Sequence, residues 1–260
     1  MREQAMTVLV VGATGSIGRH VVAEALRAGH AVRALVRDAR RAGGFPPAAE
    51  VAVGDLTCAE TLARAVAGVD AVVFTHSSNG RAPGAEAVDY GAVRNLLAAL
   101  GSREVRVALM TAIGVTDRKG AHDWKRRGER LVRASGLPYT VVRPGWFDYN
   151  APDQHRLVLL QGDRRQSGTP RDGVVARRQI AEVLVRSLRS DAALRKTFEL
   201  VAEAGPAPDD LDALFAALDA DPVGALDGAH DTANMPPGAE PPHVLRELEQ
   251  VAARSAASRT

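Results

Sequence analysis

A glycine-rich loop near the start of the chain has residue types and a spacing that hold phosphate groups. Gly12, Gly15 and Gly18 follow the apolar run Thr7–Val11, and a stretch of helical periodicity comes after them. The first glycine allows a tight turn, the second lets a pyrophosphate approach the backbone, and the third lets the helix pack on the strand. Unpaired N–H groups at the helix start attract the phosphates. We therefore predict dinucleotide contacts from Gly12, Ala13, Thr14, Gly15, Ser16, Ile17 and Gly18.

The residue after the second apolar run bears on which dinucleotide is preferred. Arg37 lies 19 residues beyond Gly18, where an acidic residue normally accepts the ribose 2′-hydroxyl of NAD. An arginine there suits the 2′-phosphate of NADP, which it can bind in bidentate fashion, and Arg40 and Arg41 add positive charge. Asp38 leaves the alternative open, because a carboxylate turned inward would serve NAD. We predict NADP(H) as the preferred cofactor and keep NAD(H) as the alternative; Arg37 as a solvated surface charge is the non-functional interpretation.

Polar residues follow the third and fourth apolar runs. Asp55 and Leu56 come after the third, and Thr75, His76 and Ser77 end the fourth. Ligands of open α/β sheets bind at the carboxyl ends of the strands, so these five residues are further candidate cofactor contacts. The carboxylate of Asp55 has two compatible interpretations, one as acceptor from the adenine amino group and one as a helix N-cap.

The elements that must position these residues alternate along the chain to about residue 203. Apolar runs predict strands at 7–11, 31–36, 50–53, 71–74, 105–110, 139–142 and 197–201, and helical periodicity predicts helices at 15–28, 62–66, 85–100, 125–135 and 178–189. Near-continuous apolar strands separated by helices indicate a parallel sheet covered on both faces, and right-handed crossovers then favour a doubly wound sheet. The predicted fold class is α/β, a Rossmann-type doubly wound parallel sheet with a single core.

The composition changes after Gly205. Residues 206–260 are rich in Gly, Pro, Asp and Ala and lack strand patterns, with helices predicted at 211–218 and 243–253. We therefore predict a dinucleotide-binding domain over residues 1–205, with an integrated substrate region, and a small helical and irregular C-terminal appendage over residues 206–260.

The charge balance argues against a nucleic-acid partner. The 33 Lys and Arg residues face 31 Asp and Glu residues, which leaves a net charge of +2, and only 4% of residues are aromatic. Neither a general attraction to phosphate backbones nor base stacking is indicated. The basic cluster of Lys125, Arg126, Arg127 and Arg130 is interpreted as a solvated helix face. The expected partner is a small-molecule substrate, without nucleic acid or membrane, and a homodimer is left open.

Cysteine use and apolar length bear on the compartment. Cys58 is the only cysteine of the chain, which fits a reducing environment. No run approaches the roughly 18 apolar residues of a membrane span, and the first residues lead into a strand rather than a signal peptide. A cytoplasmic location is expected. His76, His122 and His155 are dispersed without metal-ligand spacing, so no metal site is predicted.

These motifs together resemble the short-chain dehydrogenase/reductase superfamily. The similarity is greatest to its atypical, NAD(P)H-binding branch, which includes NmrA-like proteins and flavin or biliverdin reductases, and it covers residues 7–203. The motifs that carry it lie at residues 11–19, 33–37, 54–56, 88–90 and 137–145. The resemblance implies a Rossmann fold, NADP(H) and often oxidoreductase activity, and it implies a place for Pro144 beside the nicotinamide.

The catalytic pattern of that superfamily is incomplete here. It places a Tyr four residues before a Lys, with a Ser or Thr at the end of the fifth strand. The resemblance implies catalytic roles for Lys125, which would hold the nicotinamide ribose, and for Thr111. Ala121 stands where the Tyr is expected, so the usual proton donor is missing. Candidate substitutes are His122, Asp123, Tyr90 and Tyr149.

The segment after the sixth strand is a candidate substrate region. Trp146, Phe147, Asp148 and Tyr149 follow Pro144 and Gly145, and they either line a pocket or form a loop whose rings pack on the core. The function predicted from all of this is an NADP(H)-dependent reductase that transfers hydride to a small planar acceptor (a quinone, flavin or carbonyl) without the usual Tyr. The alternatives are a non-catalytic NADP(H)-binding redox sensor and an isomerase or epimerase that retains its cofactor.

Overall fold

The protein is described by a computed structural model over residues 5–78 and 84–257. The strands are β1 (Thr7–Val11), β2 (Ala31–Val36), β3 (Ala49–Val53), β4 (Ala71–Phe74), β5 (Arg106–Met110), β6 (Tyr139–Pro144), β7 (Trp146–Phe147), β8 (Arg156–Leu160), β9 (Val174–Val175) and β10 (Lys196–Glu203). The α-helices are α1 (Gly18–Arg27), α2 (Gly91–Leu100), α3 (Ala121–Ala134), α4 (Arg177–Ser187), α5 (Leu211–Ala216) and α6 (Pro242–Ala257).

The central sheet has the order β3-β2-β1-β4-β5-β6-β10-β8. Its strands run parallel except β8, which pairs antiparallel with β10. The strand order reverses between β1 and β4, which opens a crevice at their carboxyl ends. The prediction of a Rossmann-type doubly wound sheet is confirmed, with one antiparallel edge strand added. The short strands β7 and β9 pair with each other in a separate two-stranded parallel sheet.

Two apolar clusters cover the faces of the sheet because side chains alternate along each strand. Val8 and Val10 of β1 pack in the cluster that includes α1 and α4. Leu9 and Val11 pack in the other cluster, together with side chains of α2, α3 and α6. The four residues are completely buried, so the first strand forms the centre of the core and fixes the loop that follows it.

Several boundaries differ from the predictions. The predicted helix at 62–66 is a short 3-10 turn at Ala59–Leu62, and the predicted helix at 85–100 opens with a π-helical turn at Glu86–Tyr90. Helix α1 begins at Gly18 rather than at residue 15, because the residues before it form the glycine loop. The strands β7, β8 and β9 were not predicted. Within the described residues no helix is both long enough and apolar enough to span a bilayer.

The C-terminal part of the chain covers the basic face of α3. Arg126 and Arg130 both pair with Asp227, and Arg130 also pairs with Glu240. Arg126 and Arg130 are 0% and 1% exposed, so the interpretation of this cluster as a solvated helix face is wrong. The guanidinium groups are buried because acidic residues from 221 to 240 lie over them, which the local sequence of α3 does not reveal.

A second set of charges lies at the inner end of α3. Glu129 is fully buried and accepts hydrogen bonds from Arg143 at 2.7 and 3.0 Å and from Thr111 at 2.7 Å. Arg143 also donates to Asp231 at 2.7 Å. Burial by itself raises the pKa of Glu129, but the positive charge of Arg143 and the other charges and hydrogen bonds at this carboxylate together outweigh burial and lower this pKa to about 2. This carboxylate is therefore ionised and paired in the folded protein.

Glu199 on β10 lies beside the same charges, but its pKa shifts in the opposite direction to that of Glu129. Its Oε2 accepts from the Asp163 amide at 3.2 Å, and its Oε1 has no hydrogen-bond partner among the described residues. Burial raises the pKa of Glu199 to about 8, and the charge of Arg143, 3.6 Å away, only partly offsets this because Asp163 and Asp231 are also close. The side chain is thus mostly protonated in the folded protein at neutral pH.

A raised carboxyl pKa makes stability depend on pH in a defined window. Glu199 contributes stability below its ordinary pKa of 4.5, and this contribution is lost as the pH rises through about 8. Neutral Gln at position 199 does not ionise, so the variant does not lose this stability as the pH rises. We expect the free energy of unfolding of Glu199→Gln, relative to that of the wild type, to rise by more than about 1.4 kcal/mol between about pH 5 and pH 8.5. This is the free energy that corresponds to one pKa unit. Urea unfolding at both pH values measures this; a difference between the two proteins that does not change with pH contradicts it.

Candidate functional site

The crevice between β1 and β4 holds a cleft of about 450 Å³. We call it the glycine-loop cleft. Eleven of the predicted contact residues line it: Gly12, Thr14, Gly15, Ser16, Ile17, Arg37, Asp55, Leu56, Thr75, His76 and Ser77. The other four do not line it: Ala13 and Gly18 of the glycine loop, which are buried, and Lys125 and Pro144. The strand ends named in the sequence therefore meet at one site, as expected of neighbouring parallel strands.

The shape of the loop depends on the absence of side chains at two glycines. Gly12 has a φ of +82°, and a Cβ there would lie 2.7 Å from the amide nitrogen of His76. A Cβ on Gly18 would lie 2.1 Å from the carbonyl oxygen of Gly12. Both contacts are with backbone atoms, which cannot move aside as a flexible side chain does. The turn therefore brings the start of α1 and the end of β4 close together only with glycine at these positions.

The end of the cleft next to β2 is positively charged. Arg37 and Arg41 line it, whereas Asp38 does not. Asp38 accepts from the backbone and side chain of Arg40 and caps the 3-10 turn at Ala39–Ala42. This contact lowers the pKa of Asp38. In this structure the carboxylate of Asp38 pairs with Arg40, and Arg37 and Arg41 are the arginines that line this end of the cleft.

The carboxylate of Asp55 acts locally as a turn cap. It accepts from the backbone amide and the hydroxyl of Thr57 at 2.9 and 2.8 Å, and these hydrogen bonds lower its pKa. Because Asp55 also lines the cleft, its second predicted role toward an adenine amino group stays a prediction. Thr75 donates to the carbonyl oxygen of Val11 at 2.9 Å and so ties β4 to β1 at the base of the cleft.

A buried polar group lies between the cleft and α3. Lys125 donates to Ser77 Oγ at 3.0 Å and to Asp89 Oδ1 at 2.9 Å. Lys125 itself does not line the cleft, so it reaches a ligand there through Ser77, and its predicted catalytic role stays a prediction. Burial and the charge of Lys125 lower the pKa of the adjacent His76 to about 4. His76 is therefore neutral, and its buried Nδ1 has no partner among the described residues.

A second cavity of about 370 Å³ adjoins the first. We call it the aromatic pocket. Both cavities are lined by Phe147, and the aromatic pocket is further lined by Ala112, Ile113, Gly114, Asp117, His122, Pro144, Gly145, Trp146, Tyr149, Gln166, Gly168, Asp172 and Arg177. The rings of Trp146 and Tyr149 meet edge to face with centroids 5.9 Å apart. The predicted substrate aromatics therefore do line a pocket, and Pro144 belongs to it.

Arg177 is a site residue that sequence reasoning missed. It begins α4, donates to Ser16 Oγ of the glycine loop at 3.1 Å, and lies with its guanidinium 5.5 Å from the ring centroid of Phe147. It also forms an ion pair with Asp148. Asp148 is thereby held by Arg177 and does not line the aromatic pocket. A cation at the boundary of both cavities complements the phosphates that the loop is suited to bind.

The predicted catalytic residue Thr111 and the four candidate proton donors fall into two groups. Thr111 donates to buried Glu129 and lines neither cavity, so the structure does not bring it to the site, although its catalytic role stays a prediction. Tyr90 is buried against α6, where it donates to Glu247, and Asp123 pairs with Arg118. The remaining two, His122 and Tyr149, line the aromatic pocket, and only they are placed to contact a ligand there.

The two cavities suit two different ligands. The glycine-loop cleft offers bare backbone, a helix start and arginines, which fit an elongated anionic ligand with phosphate groups. Two observations fit a dinucleotide in that cleft. The turn at Gly12 and Gly18 leaves no room for a Cβ, and Nδ1 of His76 has no partner among the described residues. The aromatic pocket fits a planar apolar ligand.

Comparison with known proteins agrees with this geometry. The profile of the family described as NAD(P)H-binding matches residues 12–191. Protein TIC 62, chloroplastic, from Pisum sativum is 28% identical over 233 residues, and the match covers 75% of this chain and 43% of the pea protein. The chain thus spans less than half the length of that relative.

Solved structures show the same fold. A putative NAD-dependent epimerase/dehydratase from Bacillus halodurans has a TM-score of 0.67 at 24% identity, over 82% of this chain and 100% of that one. ChuY, an anaerobillin reductase from Escherichia coli O157:H7, has a TM-score of 0.61 at 21% identity, over 77% of this chain and 100% of that one.

Proposed function

Since this chain belongs to the NAD(P)H-binding family, we propose that it is an NADP(H)-dependent reductase of the atypical short-chain dehydrogenase/reductase type. Its acceptor is a small planar molecule such as a quinone, a flavin or a carbonyl compound. The observation that carries the proposal is the junction of the glycine-loop cleft with the aromatic pocket at Phe147. ChuY, which shares the fold, is named for a reductase activity.

The preference for NADP rests on the charged end of the cleft. Arg37 and Arg41 line that end, and the carboxylate of Asp38 pairs with Arg40 instead of facing the ligand. A 2′-phosphate gains charge-assisted hydrogen bonds from such guanidinium groups, whereas Asp38, the carboxylate next to Arg37 in sequence that would accept from a 2′-hydroxyl, is paired with Arg40. The described lining therefore favours the phosphorylated dinucleotide.

The residues divide the work between holding the cofactor and holding the acceptor. Reduced nicotinamide supplies a hydride when it is bound. The glycine loop and Arg177 hold the phosphates, and Ser77, fixed by Lys125, presents a hydroxyl to the cleft. Trp146 and Phe147 supply flat apolar surfaces on which a planar acceptor stacks and excludes water.

The cofactor preference is tested by reversing the charge at Arg37. We expect Arg37→Asp to lower NADPH affinity by about tenfold to a hundredfold and to raise NADH affinity, because the new carboxylate repels the 2′-phosphate and accepts from a 2′-hydroxyl. Isothermal titration with both cofactors measures the ratio. Arg64→Asp, at an exposed position outside the cleft, serves as the charge-matched control. An unchanged NADPH/NADH ratio in Arg37→Asp would falsify the assignment.

Turnover separates the reductase from a non-catalytic NADP(H) sensor. Two observations favour the sensor: Lys125 is paired with Asp89, and the position of the usual Tyr is occupied by Ala121. Steady NADPH oxidation with 9,10-phenanthrenequinone, menadione or FMN supports the reductase. Tight NADPH binding without oxidation by any of these acceptors supports the sensor instead.

A further inference from the structure

The aromatic pocket contains a histidine–carboxylate pair, in which the carboxylate lies on the loop that joins β5 to α3 and the histidine lies on α3 itself. His122 lies in the first turn of α3, and its Nδ1 is 3.0 Å from Asp117 Oδ1 and 2.9 Å from the carbonyl oxygen of Gly114. The side chain of Asp117 is only 6% exposed, whereas that of His122 is 32% exposed. Both residues line the pocket. The arrangement has the base–orienter form found where a histidine moves protons.

The partners of Nδ1 fix which ring nitrogen carries hydrogen. A backbone carbonyl oxygen only accepts hydrogen bonds, and so does an ionised carboxylate. Because both lie within 3.0 Å of Nδ1, this nitrogen must be the donor. Nε2 has no hydrogen-bond partner among the residues that the structure describes, and it is the atom left to contact a ligand. In the neutral ring Nε2 carries a lone pair and accepts hydrogen bonds. In the imidazolium it carries a hydrogen and donates.

The other ionisable groups of the pocket are poorly suited to donating a proton. Arg177 is a permanent cation paired with Asp148. Burial by itself raises the pKa of Asp172, but hydrogen bonds to this carboxylate, among them those from the amides of Ser167 and Gly168, together outweigh burial and lower this pKa. The carboxylate of Asp172 therefore stays ionised. Lys119 forms an ion pair with Asp117 but does not line the pocket. Tyr149 is 64% exposed, on the outer part of the loop.

We propose that His122 is the catalytic proton donor of the reduction and that Asp117 is its positioning residue, so that the acceptor is a carbonyl or quinone bound in the aromatic pocket. This rests on the proposed function. The acceptor gains a hydride from the reduced cofactor and forms a new O–H bond with the proton from His122 Nε2. The imidazolium becomes neutral imidazole with its hydrogen on Nδ1, and water returns the proton. Ala121, one residue earlier, occupies the position of the usual Tyr, so His122 supplies from the same helix turn what that position lacks.

The tautomer of His122 is a test that needs no turnover. Protein labelled with ¹⁵N-histidine contains 7 histidines, and the signals of His122 are those absent from His122→Asn. We expect long-range ¹H–¹⁵N correlation spectra of the neutral ring to show hydrogen on Nδ1 and none on Nε2. We expect Asp117→Ala, which removes one of the two acceptors, to weaken this preference. Hydrogen on Nε2 in the wild type overturns the proposal.

Kinetics then test the role itself with two acceptors that differ in their need for a proton. 9,10-Phenanthrenequinone gains a hydride and a proton, whereas N-methylacridinium gains a hydride alone. We expect His122→Asn to slow NADPH oxidation with the quinone by about a hundredfold or more and to abolish its solvent deuterium isotope effect. The affinity for NADPH stays within about threefold of the wild type, because His122 does not line the glycine-loop cleft. The rate with N-methylacridinium falls at least about tenfold less than the rate with the quinone, because this acceptor needs no proton; equal losses with the two acceptors would show that His122 only shapes the pocket.

Control variants separate this inference from the proposed function. His155→Asn changes an exposed histidine outside both cavities and is expected to behave as the wild type. A normal quinone rate and isotope effect in His122→Asn overturn the proton-donor role and leave the reductase standing. A wild type that binds NADPH and reduces neither acceptor defeats the reductase, and the donor role with it.

Discussion

Replacing Glu129 with Met is expected to destabilise the protein by about 3–5 kcal/mol, the cost of breaking a buried ion pair from one side. Glu129 is completely buried and accepts from both Thr111 and Arg143. The change conserves volume but leaves the guanidinium of Arg143 without its main partner on this side. Asp231 still pairs with Arg143, which keeps the loss in that range rather than above it. Equilibrium unfolding in urea, with the slope checked for two-state behaviour, measures it.

A matched control and a pH series make the origin of this loss specific. Glu203→Met breaks the exposed pair with Arg156 and is expected to change stability by less than about 1 kcal/mol. Because the folded pKa of Glu129 is about 2, below its ordinary 4.5, the stability it contributes is present above 4.5 and is lost as the pH falls toward 2. The deficit of Glu129→Met should therefore shrink over that window. Losses of equal size at positions 129 and 203 would contradict a buried-pair mechanism.

The same charges show where local sequence stops being informative. A helix with Arg126, Arg127 and Arg130 on one face has the pattern of a solvated surface, and that interpretation was wrong. Its partners, Asp227 and Glu240, lie about a hundred residues later in a stretch without strands. A buried charged face and an exposed one have the same periodicity, so only the excess of acids in that later stretch was a signal.

The sheet and the glycine loop were predictable for the opposite reason. The strand Thr7–Val11, the turn that follows and the start of α1 are contiguous, and each glycine answers a local steric demand. Parallel strands then carry their polar ends to one edge, so residues as far apart as Ser16 and His76 were expected to meet and do line one cleft. Topology converts local patterns into a site without any knowledge of side-chain packing.

Individual roles within the site were harder to predict because each depends on which partner a side chain finds. Thr111 and Asp148 had suitable types and places in sequence, yet Glu129 holds the first and Arg177 holds the second. Arg177 itself carried no motif, since it reaches the glycine loop from a helix 161 residues away from Ser16. Competition for hydrogen bonds is a three-dimensional property, so the sequence could predict the cleft but could not choose among the four candidate proton donors.

The glycine loop supports the prediction with the largest expected effect on binding. We expect Gly18→Ala to lower NADPH affinity by at least about a hundredfold. The added Cβ would lie 2.1 Å from the Gly12 carbonyl oxygen and 2.8 Å from the Ala13 Cα, so the loop must move away from the start of α1. That movement separates the bare amides from the helix terminus, and both are needed to hold a pyrophosphate.

The measurement must separate loss of the loop from loss of the fold. Fluorescence titration with NADPH gives the affinity, and near-ultraviolet circular dichroism with urea unfolding reports whether the core remains. Gly238→Ala is the matched control, because a Cβ there meets nothing within 4 Å. A folded Gly18→Ala protein that binds NADPH within about threefold of the wild type would show that the phosphates are held elsewhere. The arginines would then be the remaining anchor, and Arg37→Asp would abolish binding outright instead of changing the preference between the two cofactors.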